Sequence, residues 1–209
     1  MAHLVSLVEF LNSGNLGPLY PGVGIKQVID LLGPPQRWAA NEEWQFRPIP
    51  TYWGYGRLEL QLDLGAEPRC DWFQLEDICS LKGDLDVVTD NLTISFDGLD
   101  GNSRISDVIK TIRDPSSICI HLADATGSLH PTVFIGPHIE FGFGISEDDV
   151  IPGESLGTLC KRIDQNCVPI DIYSVGNNTV SQEHGKKVLG EKGLKDLLLS
   201  GSEFLHMIR

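Results

Sequence analysis

The sequence predicts an α+β fold: two tandem α-β-β-β repeats forming a largely antiparallel sheet with helices on one face. Three observations predict it. The stretch IKQVIDLLGPP (Ile25 to Pro35) recurs in pattern, eighty positions on, as ISDVIKTIRDP (Ile105 to Pro115). Each copy is followed by a stretch in which apolar and polar residues alternate: YGRLELQLDL in the first and GPHIEFGFGI in the second. A third correspondence links CDWFQLEDI with VPIDIYSVG, after a longer insertion in the second copy.

The helices are justified by spacing. Ile25, Val28, Ile29 and Leu32 fall at i, i+3, i+4 and i+7, as do Ile105, Val108, Ile109 and Ile112, so each set forms one apolar stripe. Gly33-Pro34-Pro35 and Asp114-Pro115 stop them, because proline cannot continue a helix. Ser103 or Ser106 is a candidate cap for the second. The strands are justified by period-two alternation, the signature of a strand with one wet face. Leu58, Leu60, Leu62 and Leu64 oppose Arg57, Glu59, Gln61 and Asp63, with Tyr55 on the polar side. Ile139, Phe141, Phe143 and Ile145 oppose His138, Glu140, Gly142 and Gly144. NLTISF adds a strand before the second helix. MAHLVSLVEFLNSG reads as a first helix with Leu4, Leu7, Val8 and Leu11 on one face, and EKGLKDLLLSGSEFLHMIR as a last one using Leu194, Leu197, Leu198 and Phe204. The expected division is residues 1–100 for the first repeat with its N-terminal helix, 101–180 for the second, and 181–209 for a helical tail packed on the same core.

Composition narrows the function. The 209 residues include 41% hydrophobic ones, enough for a sizeable core, and carry a net charge of −13. Eleven acidic residues lie between Glu59 and Asp100 against Arg69 and Lys82 alone, a net −9. Such a surface repels phosphate backbones and anionic lipid, so neither nucleic acid nor a membrane is an expected partner; a basic protein is. Five cysteines without a C-x-x-C pair speak against a zinc site or a disulfide framework, and no cofactor motif occurs. A start without a basic leader points to a reducing cytoplasm.

Chemistry-bearing patterns are few. GESLG (Gly153 to Gly157) matches a nucleophile elbow, and a serine hydrolase would use Ser155 with Asp171 and His184 or His206. Its lead-in, SEDDVIP, is acidic and broken by Pro152 rather than a buried strand, so a loop is expected. His121, His130 and His138 form no metal signature, and His138 is expected on a wet strand face beside Glu140. DGLDGN (Asp97 to Asn102) lacks the register of a calcium loop and reads as a turn.

The stronger constellation is aromatic and acidic. Trp38, Trp44, Phe46, Tyr52, Trp53, Tyr55 and Trp72 all lie in the first copy. If Phe73 and Leu75 face the core, Trp72 stands exposed with Gln74 and Glu76. The rings either fill the core under loops or form an interface hot spot. The candidate partner-binding residues are Tyr55, Arg57, Glu59, Gln61, Asp63, Asp71, Trp72, Glu76 and Asp77.

On IKQVIDLLGPP with YGRLELQL, and ISDVIKTIRDP with HIEFGF, the chain resembles the beta-lactamase inhibitor protein family and related outer-membrane small-lipoprotein repeats. The likeness spans Val23 to Gly176 at the level of pattern. It implies an open, charged, aromatic sheet face used for binding, and assigns no individual residue. Family members are exported and the inhibitor has disulfides, whereas this chain shows no export signal and its strands and insertions differ. By class, an acidic single-domain binder is similar to the immunity proteins that bacteria make against cationic toxins. The expected function is therefore non-enzymatic: an immunity-type inhibitor covering the cleft of a basic toxin or enzyme. The alternatives are a small hydrolase using Ser155 and a structural or regulatory interaction module.

Overall fold

The computed structural model describes residues 2–39, 50–63, 65–124, 128–145, 154–175, 179–191 and 197–209. It is an α+β fold in which several helices pack against a largely antiparallel sheet. Nine strands run in the order β12-β8-β9-β10-β11-β5-β4-β3-β2, every neighbouring pair antiparallel. They comprise β2 (Arg37–Ala39), β3 (Tyr52–Tyr55), β4 (Leu58–Asp63), β5 (Arg69–Leu75), β8 (Ile118–Ala123), β9 (Leu129–Ile135), β10 (Ile139–Ile145), β11 (Cys167–Val175) and β12 (Leu198–Ser200). A second sheet has the order β1-β7-β6, from β1 (His3–Ser6), β6 (Leu85–Thr89) and β7 (Leu92–Ser95). The helices are α1 (Leu7–Ser13), α2 (Ile25–Leu32), α3 (Ile105–Thr111), α4 (Leu156–Asn166), α5 (Thr179–Glu191) and α6 (Gly201–Met207).

The nine-stranded sheet consists of two four-stranded meanders, β2–β5 and β8–β11, whose last strands pair with each other. Their registers agree in detail. Leu58, Glu59 and Leu60 face Leu75, Gln74 and Phe73, while Ile139, Glu140 and Phe141 face Ser174, Tyr173 and Ile172. Each ladder then slips at the next step, between Gln61 and Leu62 and between Gly142 and Phe143. The slips leave Asp71 and Ile170 as the extra residues of two bulges. The turns entering β4 and β10 both begin with a left-handed glycine, Gly56 at φ 58° and Gly136 at φ 55°, a conformation that a side chain resists. Each meander has four strands where the alternation of the sequence marks three.

One face of the large sheet is apolar and carries α1. Phe10 stacks on Phe73 at 5.4 Å, and the Ser174 hydroxyl donates to the Gly14 carbonyl at 2.7 Å, so α1 straddles the β5–β11 seam. Under α3, the buried Asp164 of α4 accepts from the Ser106 amide at 2.8 Å and the Ser106 hydroxyl at 2.9 Å. This ties the start of α3 to α4, while α6 packs on α3, α4 and β8.

The ends of the chain depart from expectation. The N-terminal stretch is a strand followed by a helix, because Ser6 caps α1 by accepting from the Glu9 amide and because His3–Ser6 pairs in parallel with β7. Asp97 fastens that junction, accepting from Ser6 Oγ at 2.5 Å and the Val8 amide at 3.1 Å. Leu4 therefore leaves the expected helical stripe and is exposed. At the other end, Leu198–Ser200 joins the sheet and Ser200 opens α6 in a capping box with Glu203, which divides the expected last helix. Leu194 lies outside the described residues. The long stretch between β10 and β11 contains α4. No helix among the described residues is long and apolar enough to cross a membrane.

Candidate functional site

The sheet face opposite α1 becomes polar at the seam. Because β4, β5, β11 and β10 lie side by side, Glu59, Gln74, Tyr173 and Glu140 form one row across four strands; Gln61 and Trp72 pair on one side of it, and Asp171 and Gly142 pair on the other, the side of Glu76. Glu59 is only 4% exposed, and its carboxyl oxygens are bonded on both sides. Arg37 of β2 donates to its Oε1 at 3.1 Å, and Gln74 Nε2 donates to its Oε2 at 2.9 Å. The same Gln74 nitrogen donates to Glu76 Oε1 at 2.6 Å. Glu59 and Glu76 thus share one donor and lie side by side. Burial first, then this carboxyl pair and the charge of Asp171, push the Glu76 pKa up to about 7, against the pull of Arg37.

Asp171 of β11 also titrates above the usual carboxylate range. Burial is the main cause; Glu59 and Asp77 add to it, while a main-chain N–H of Asp77 and the charge of His130 oppose it. Beside these groups, the Trp72 and Tyr173 rings lie 6.0 Å apart across the seam, both half-buried. The arrangement is a shallow acidic surface with one aromatic pair. It attracts cationic groups and offers Trp72 and Tyr173 as flat contacts. Among the described residues no group of three or more His, Cys, Asp or Glu side chains is arranged to hold a metal ion.

The expected binding residues do not all gather here. Glu59, Gln61, Trp72 and Glu76 do. Asp63 and Asp71 are exposed toward the far end of β4 and β5. Tyr55 is corrected: it is fully buried on the apolar face, pairs with Leu58, and donates its hydroxyl to the Gly33 carbonyl at 3.0 Å. The tight Gly56-Arg57 turn explains this, since alternation does not carry across a turn. Arg57 leaves the wet face too. It bonds Asp86 at 2.9 Å and the carbonyls of Glu76 and Asp77 at 3.0 and 2.7 Å, clamping the turn to the second sheet. Asp77 sits at φ 54°, where its carboxylate accepts from Ser80 and Cys79, and these bonds lower its pKa. Trp53 is core, Trp38 is exposed, and Trp44 and Phe46 lie outside the described residues.

Sequence reasoning placed Gln74 on this face with Trp72 and Glu76 but missed Asp171, Tyr173 and Arg37 as members of the site. The alternation of Asp171 and Tyr173 about Ile172 was available as a signal, but only strand pairing brings them to Glu76. The polar face is also closed at one end. Phe134 and His121 stand on it but are buried, their rings 4.6 Å apart. Burial and the nearby Lys186 of α5 hold the His121 pKa down at about 4. His138 is exposed in the β9–β10 turn, its Cβ set against Gly14, rather than on a strand. Ser155 caps α4, accepting from the Thr158 amide at 3.2 Å, with Thr158 Oγ1 at 2.9 Å. The start of the GESLG motif, Gly153, and the side chain of His184 lie outside what is described. Comparison with protein-family models, with curated proteins and with solved structures finds no match.

Proposed function

We propose that this chain is a non-enzymatic protein-binding module, an immunity-type inhibitor that lays its acidic, aromatic sheet face over the cleft of a basic toxin or enzyme. The observation that carries the reading is the seam itself: Glu59, Glu76 and Asp171 around a shared Gln74 donor, with Trp72 and Tyr173 alongside. A net charge of −13 supports it, because long-range attraction speeds encounter with a cationic partner and fixes its orientation. The scaffold reads as a tandem duplication of α-β-β-β units, each with one added strand. Matched registers, bulges at the same step and matched left-handed glycines support that origin.

The test is capture from the source organism's lysate at low and high salt. A basic protein should be retained at low salt and released as salt screens the contact. Glu76→Lys, Asp171→Lys and Trp72→Ala, all at half-buried positions of the seam, should each weaken retention. Capture that ignores both salt and these substitutions would sink the reading.

A further inference from the structure

The small sheet carries a different opportunity. In the row Leu4–Thr93–Val87 and the row Ser6–Ser95–Leu85, side chains point away from the core. Leu4, Leu85 and Val87 are 68%, 59% and 70% exposed. β6 is an edge strand, and apart from its ladder to β7 its main chain makes no hydrogen bond among the described residues. Its N–H and C=O groups on the outer side are therefore available for pairing. A cleft of about 430 Å³ runs beside it, between Val87–Asn91 and Leu32–Gln36, against Tyr55.

We infer that β6 accepts an extended segment of a partner polypeptide as a fourth strand, apolar at alternate positions and bearing lysine or arginine between them. Three features select that occupant. A free strand edge is matched only by extended backbone. On the outer face, the added strand would continue the rows that end at Leu85 and Val87; its other side chains would enter the cleft toward Leu32 and Pro34. The charge is acidic: Asp84 precedes Leu85 and Asp90 closes the hairpin, while Asp86 is already paired with Arg57. This surface belongs to the second sheet, so it does not depend on the carboxylates of the seam.

The probe is a short synthetic peptide of alternating lysine and valine, with two controls: its glutamate–valine counterpart and a copy N-methylated at every second residue. The expected result is binding by the basic peptide with slowed amide exchange confined to residues 85–89. N-methylation, and Val87→Ser in the full chain, should each weaken that binding by about tenfold or more. Val87 is exposed, so its replacement leaves the fold intact. Protection elsewhere, equal binding of the acidic or N-methylated peptide, or insensitivity to Val87→Ser overturns the inference. So does sedimentation showing that the chain dimerises through β6, which would make a second copy the occupant.

Discussion

α2 and α3 each precede a four-stranded meander and carry the same apolar stripe, but they end in different surroundings. On α3, Ile105, Val108 and Ile109 are completely buried, because α6 packs on the helix and Asp164 of α4 holds its first turn. On α2, Val28 and Leu32 are buried, Ile25 is half-buried and Ile29 is 44% exposed. Its N-cap, Gly24, offers no side-chain bond. The second half has spent its insertion and tail on covering its own core. The first half keeps the exposed apolar strand β6 and the larger share of the net negative charge, with 15 acidic against 6 basic residues in positions 1–100. Stability and surface chemistry are thus divided between two similar frameworks.

Substitutions at matched positions sharpen the contrast. Ile109→Ala should lower the unfolding free energy by about 3 kcal/mol, as a cavity in a closed core does, whereas Ile29→Ala should cost less than about 1 kcal/mol. Chemical denaturation of both variants decides the matter; equal losses would break the comparison. A smaller effect is expected at the clamp between α3 and α4. Asp164→Ala leaves the Ser106 amide without its partner and should cost about 2 kcal/mol, read in the same assay. The smallest effect belongs to the seam. Glu76 titrates near 7 in the fold, above its ordinary range, so the fold favours its protonated form. That contribution is complete below the ordinary carboxylate pKa and is lost as pH rises through about 7. Asp171 is raised as well and acts in the same direction. Asp77, Asp97 and Glu203 are lowered and act oppositely at more acidic pH, and His121, held neutral by burial down to about pH 4, acts oppositely below the ordinary imidazole pKa. Between about pH 5 and about pH 8 Glu76 and His121 therefore oppose each other, so the thermal midpoint should change little there, and Glu76→Gln should leave it rising by a few degrees, roughly, toward pH 8.

Periodicity made the helices and the central strands legible, since Val28, Ile109, Leu58, Leu60, Ile139 and Phe141 bury themselves as their spacing demands. It did not reveal the second sheet, because β1 and β7 pair in parallel across most of the first half. It misread Tyr55 by running one alternation through a two-residue turn. The acidic face was legible in Glu59, Gln61 and Glu76. The half of the site contributed by Asp171 and Tyr173 was not, since nothing local marks which strand will lie beside β5.

The seam between β5 and β11 has a consequence for how the molecule is made. During synthesis β5 leaves the ribosome roughly a hundred residues before the strand that completes it, so the middle of the sheet closes only after both meanders have been made. Glu76 and Trp72 come from the early half, Asp171 and Tyr173 from the late one. An unfinished chain can display neither the assembled carboxylates nor the paired rings, so a partner that reads this surface meets only finished protein.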